Sequence, residues 1–224
     1  MSIPVLILGE PGSGKTSSLR NFERGEIGVL QSIAKPLPFR NNLEVAASRD
    51  FDTIRAWLRN DRNHNAMMVD DFGYLITDLF MRYSHGPEKL RDQYEVYKII
   101  GAEVYNFVTE LMEDGRRDRI VYICMHIERN QFGEIEPATV GKMLNEKVKL
   151  IGMFTIALMA VSDGESRKFI TNGQPFKSPP GMFDLEIDND LKMVDALIRD
   201  YWGLAQLDEI GGGDDGSKVR GAAA

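Results

Sequence analysis

A single cysteine, Cys124, in 224 residues leaves nothing to pair with inside the chain, so an intramolecular disulfide framework is excluded. Three histidines are scattered too widely along the sequence to form a Cys/His zinc cluster. The longest apolar run, Ile151 to Val161, is interrupted by glycine and threonine and falls well short of the ~20 residues a membrane span needs, so no membrane contact is expected. The first apolar strand begins within a few residues of Met1 with no secretory leader before it, which, with the lone cysteine, predicts a cytoplasmic protein. Basic residues are outnumbered, 27 against 34 acidic ones, and the net charge of −7 excludes a uniformly basic coat for nucleic acid while leaving room for a local basic patch. Internal repeats and a helix-turn-helix pattern are also missing. What is present, 43% hydrophobic residues, suffices for one globular domain, expected over 1–205. A glycine- and aspartate-rich tail, expected to be disordered, follows over 206–224.

The most informative stretch is LILGEPGSGKTSSL, Leu6 to Leu19, which contains a complete G-x-x-x-x-G-K-[ST] loop. Val5 to Leu8 reads as a buried strand, and Thr16 opens a helix expected to end near Glu23 to Gly25. Gly12 and Gly14 permit backbone angles that turn successive N–H groups toward a phosphate. Lys15 is expected to reach the β- and γ-phosphates, the Thr16 hydroxyl to hold Mg²⁺, and the helix N-terminus to add partial positive charge. The expected nucleotide site is therefore Gly9, Glu10, Pro11, Gly12, Ser13, Gly14, Lys15, Thr16 and Ser17, with ATP and Mg²⁺ as its ligands.

A second phosphate-facing strand is expected at AMMVDDF, Ala66 to Phe72. Asp70 would hold the Mg²⁺ water shell, and Asp71 is placed to polarise an attacking water, although a capping role for the aspartate pair is also open. IVYICM, Ile120 to Met125, predicts a third strand that ends on His126. This histidine is either a sensor of the γ-phosphate or a strand end bonded to backbone.

Between these motifs the pattern predicts strands at Ile27 to Leu30 and Leu43 to Ala47, and a helix over Phe51 to Leu58 capped by Asp50 or Asp52. KPLPF makes a rigid turn. Helices follow from Leu75, with a turn at His85 to Pro87 and an amphipathic stripe of Leu90, Tyr94, Tyr97, Val104, Val108 and Leu111 facing the sheet. A charged turn at Asp114 to Arg119, a polar segment from Ile127 to Thr139 and a short basic helix from Val140 to Leu150 come next. Strands at Phe154 to Val161 and Lys168 to Thr171 precede PFKSPPGMFDLEI, whose prolines predict an extended surface strip. Leu191 to Trp202 closes the domain as a helix. Alternating strands and helices make this an α/β fold, a mostly parallel sheet sandwiched by helices with a P-loop ATPase core. Arg116, Arg117, Arg119, Lys142, Lys147 and Lys149, with the aromatic Phe132, offer a basic groove and a stacking ring for single-stranded DNA.

The succession GEPGSGKT, KPLPF, MMVDDF, ICMH, VGKMLNEKV and KSPPGMFD resembles the phage-encoded ATPases related to RecA, over about residues 3–202. The resemblance implies a RecA-like core, ATP-dependent binding of single-stranded DNA, annealing or recombination, and homo-oligomeric rings or filaments in a bacterial host cytoplasm. By position Lys15 and Thr16 match the phosphate-loop residues, Asp70 the Mg²⁺ residue and His126 the polar switch that RecA fills with glutamine. The segment after His126 matches a DNA-facing loop, so Arg129, Phe132 and Lys142 are the DNA-binding candidates. One departure is that the strand IGVLQS lacks the glutamate that RecA-like cores place there, which favours Asp71 as the catalytic acid. Lys177, with Lys168 and Arg129 as further candidates, is expected to reach the γ-phosphate of a neighbouring subunit. Two alternatives have other partners: an AAA-type ATPase that loads or remodels a replication or recombination protein such as a replicative helicase, and a nucleotide-dependent switch.

Overall fold

Strand β1 (Ile3–Gly9) is buried along both faces, as an unbroken apolar run requires. Val5 and Ile7 point into one hydrophobic cluster, Leu6 and Leu8 into the other. The computed structural model describes residues 2–207; from Asp208 onward the tail expected over 206–224 lies outside the described residues. After β1 come β2 (Ile27–Gln31), β3 (Glu44–Ala47), α1 (Phe51–Asn60), β4 (Ala66–Asp70), α2 (Phe72–His85) and α3 (Gln93–Glu113). The second half adds β5 (Ile120–Arg129), β6 (Ile135–Pro137), β7 (Ile156–Ser162), β8 (Arg167–Ile170), β9 (Glu186–Asp188) and α4 (Leu191–Trp202).

The nine strands form one mixed sheet in the order β3-β2-β4-β5-β1-β7-β8-β9, with β6 against β5. The six from β3 to β7 run parallel, and β6, β8 and β9 join antiparallel. Helices α1, α2 and α3 cover one face and α4 the other, a single α/β domain as expected. Strand β5 lies between β1 and β4, and the register pairs Gly9 with His126 and Gln31 with Asp70. The C-terminal ends of four parallel strands therefore meet at one edge of the sheet. No described helix is long and apolar enough to cross a membrane.

Several expectations need correction. The helix after the glycine loop is only a six-residue 3₁₀ turn, Thr16–Asn21, within which the Ser18 hydroxyl donates to the Lys15 carbonyl at 2.6 Å. So short a turn adds little aligned dipole. Strand β5 does not end at His126 but runs on to Arg129, and the expected polar loop is a hairpin pairing Glu128 with Glu136. The basic helix is a π-turn, Met143–Val148, closed by Lys149 at φ 55°. The inner stripe of α3 keeps Val104, Val108 and Leu111 and adds Val96, Ile100 and Phe107, while Tyr94 is exposed and lies under the Lys98 ammonium at 4.6 Å. The proline-rich strip is not wholly at the surface: Phe176 and Met182 are buried, and Lys177 exchanges backbone bonds with Ala157.

Two arginines of the charged turn, Arg119 buried and Arg116 half-buried, are bound to nearby backbone. Arg119 is buried and donates to the carbonyls of Leu58 and Asp61, and Arg116 donates to Asp61 O at 2.6 Å and Asn65 Oδ1 at 2.7 Å. Both clamp the turn before β4. A second buried guanidinium, Arg199 of α4, pairs with Asp195 and donates to Asp118 O and Asn65 O, each at 3.0 Å. Tyr122 completes this network by donating to Asp195 at 2.8 Å. Burial raises the Asp195 pKa, opposed by the Arg199 charge.

Arg199→Leu leaves a buried carboxylate without its cation and is expected to cost about 3–5 kcal/mol, read as a lower urea midpoint. A milder change tests the cap of α1, where Asp50 accepts from Thr53 N at 2.8 Å. Asp50→Ala is expected to cost about 1 kcal/mol at neutral pH. The Thr53 bond lowers the Asp50 pKa in the folded state, so its contribution is complete above the ordinary carboxylate range and is lost as pH falls through the folded value. The wild-type and Asp50→Ala urea midpoints should therefore converge only below that range.

Candidate functional site

At the edge where the strands end, the glycine loop leaves β1 with Gly12 at φ 80° and Gly14 at φ 102°. Gly14 is also confined: a Cβ there would lie 2.6 Å from Arg167 Cδ and 2.9 Å from Asn189 Oδ1. The Lys15 ammonium folds back on its own loop, donating to Gly9 O at 2.7 Å and Glu10 O at 2.9 Å, with His126 Nδ1 at 3.1 Å. Those three partners use all three of its N–H bonds. Burial lowers the Lys15 pKa, opposed by nearby acidic groups.

His126 is held by this contact. Lys15 has only N–H to offer, so Nδ1 accepts, which puts the ring proton on Nε2, 3.5 Å from Asp71 Oδ1. The side chain bridges Lys15 and Asp71 and bonds to no backbone group. Asp71 occupies the N-cap position of α2 at φ 58°, yet its carboxylate makes no capping bond. It is turned instead to His126 and to Lys35, with which it forms an ion pair. Burial pushes the Asp71 pKa up, but the His126 and Lys35 bonds outweigh it and hold the group at about 2.

Asp70, fully buried, accepts from Thr16 Oγ1 at 2.9 Å through one oxygen and from Asp71 N at 3.1 Å through the other. Its pKa is raised by burial and by the Asp71 charge. Among the described residues no group of three or more His, Cys, Asp or Glu could hold a metal alone. A cation at Thr16 and Asp70 would take the rest of its shell from water and phosphate, and these two hard oxygens fit Mg²⁺ on those terms. The buried, unpartnered Ser13 Oγ in the loop is a further polar atom that a phosphate would satisfy. Ser17 is half-buried, and its carbonyl accepts from Arg20 at 3.3 Å.

The other candidates lie elsewhere. Lys177 donates to Gly152 O at 3.4 Å and touches none of these side chains, so any catalytic part for it needs a second copy of the chain. Lys168 pairs with Glu186 at 3.0 Å. Arg129, Phe132 and Lys142 do come together, lining a cleft of about 350 Å³ with Phe132 exposed at the hairpin tip. Glu128, Glu136 and Glu146 line the same cleft, so its charge is mixed. Lys35 is the site residue that the motif reading passes over. It stands in KPLPF, but its partner Asp71 is 36 residues away, and only the β2–β4 pairing brings them together.

Gly14→Ala forces a Cβ into Arg167 and Asn189 at a φ that side chains rarely adopt, and is expected to cost more than about 1 kcal/mol by urea unfolding. Compared with known proteins, the chain matches no family model and no curated protein.

Proposed function

We propose that this protein is a Mg²⁺-dependent P-loop ATPase of the RecA-like kind that acts on single-stranded DNA in recombination, annealing or replication. The observation that carries the reading is the contact chain Lys15, His126, Asp71, Lys35 beside the Thr16–Asp70 pair, all on one edge of a parallel sheet. Phosphoryl transfer is catalysed mainly by positioning and by charge placed around the phosphates, and this edge concentrates both.

In this reading the loop N–H groups and Lys15 bind the phosphates, while Thr16 and Asp70 hold Mg²⁺. The metal supplies charge neutralisation between the phosphates. A carboxylate held near 2 accepts hydrogen bonds readily and protons poorly, so Asp71 orients a water and does not store its proton. His126 contacts both Lys15 and Asp71, and a change in either partner is felt by the other through it. The DNA-directed part rests on the resemblance in motif order and on Arg129, Phe132 and Lys142 sharing a cleft at the end of the strand that carries His126. Assembly into rings or filaments would give Lys177 a neighbour's phosphate to reach. The acidic residues of that cleft favour a second reading, an ATPase whose partner is another protein.

Steady-state ATP hydrolysis with and without single-stranded DNA tests the proposal. A DNA-stimulated rate that Lys15→Ala lowers by about 10²–10³-fold or more is expected. Hydrolysis indifferent to DNA, with no ATP-dependent DNA binding, would transfer support to the protein-directed reading.

A further inference from the structure

We propose that Lys35 is a second phosphate-binding cation of this site, supplied by the same chain, which bridges Asp71 and the terminal phosphate of a bound nucleoside triphosphate. The inference rests on the ATPase reading and adds the residue that distinguishes a triphosphate from a diphosphate.

The first ground is how Lys35 is delivered. Its backbone N–H donates to Gln31 Oε1 at 3.2 Å, and Gln31 is in register with Asp70. Ser32 donates to the Asp70 carbonyl through both N and Oγ, each at 3.1 Å. Pro36 and Pro38 then stiffen the chain on the other side. The segment from β2 is thus tied across the end of β4, with the lysine held over the aspartate pair.

Donor count is the second ground. In this structure the N–H bonds of Lys15 are all engaged. Lys35 has three as well, and Asp71 is the one side chain its ammonium bonds to among the described residues. Its side chain is 46% exposed against 3% for Asp71, so the ammonium covers the carboxylate on the solvent side with donors to spare. An entering phosphate can take those donors while the ion pair is kept.

The third ground is charge. Asp70 and Asp71 are adjacent carboxylates, and a phosphate arriving beside them meets repulsion that a bridging cation removes. No arginine bonds to Lys15, Asp70, Asp71 or His126 among the described residues; the cations in that contact chain are Lys15 and Lys35. Lys15 starts in the loop after β1, whereas Lys35 follows β2, three strands away in the sheet and next to the β4 strand that leads to Asp71. This division assigns the loop-bound phosphate to Lys15 and the terminal one to Lys35.

Calorimetric titration of the full chain with Mg²⁺ and either ADP or the β,γ-imido analogue of ATP tests the assignment. Lys35→Ala is expected to weaken the imido analogue by about tenfold or more while leaving ADP within about twofold, with Lys35→Arg recovering most of the loss. The same loss is expected in an Asp71→Asn background, where neutralising Asp71 can no longer be what Lys35 contributes. Unchanged affinity for the analogue, equal weakening of both nucleotides, or disappearance of the effect in Asp71→Asn would each overturn the proposal and leave the ATPase reading intact. If the wild-type chain binds neither nucleotide, the ATPase reading falls and the role of Lys35 falls with it. Unfolding midpoints of Lys35→Ala and Lys35→Gln close to wild type establish that a lost affinity is not a lost fold.

Discussion

Four ionisable side chains stand in contact at one sheet edge, and they can be kept there only because each partner answers the next. Lys15 meets His126, His126 meets Asp71, and Asp71 meets Lys35, so no full charge in the row lacks a hydrogen-bond partner. Burying any one of them alone would be costly. The sheet order follows as a requirement, since β5 must lie between β1 and β4 for His126 to stand between the lysine of one loop and the aspartate of the other.

A second constraint works at the far side of the molecule. Arg199 and Tyr122 converge on Asp195, while Arg116 and Arg119 fasten the turn before β4 by its carbonyls. Backbone groups that leave the ordered strands are thereby satisfied by long side chains instead of water. These clamps act at the ends of β4 and β5 opposite Asp70 and His126.

Parts of this arrangement were readable from residue order alone. The apolar runs of β1 and β4, the GEPGSGKT loop and the amphipathic pattern of α4 are local signals, and each corresponds to an element in the structure. The Asp70–Thr16 contact could be anticipated because the two motifs are chemically specific. What was not legible depends on distant partners. The extension of β5 through Glu128 and Arg129 exists because β6 pairs with it, and polar residues there look like loop. Arg116 and Arg119 look like surface charge until their carbonyl partners are seen, and Lys35 has no local pattern that points to Asp71.

The position of β1 has a consequence for the order in which the protein is made. This strand is synthesised well before its neighbours, since β5 and β7 begin only at Ile120 and Ile156. Residues 10–119 must be translated before the first of them starts, which at ordinary elongation rates takes roughly 5–20 s. During that interval Val5 to Leu8, destined for complete burial, has both edges open. Strands of this composition pair readily with other chains. Closure of the sheet around β1 therefore waits until these later strands have been made.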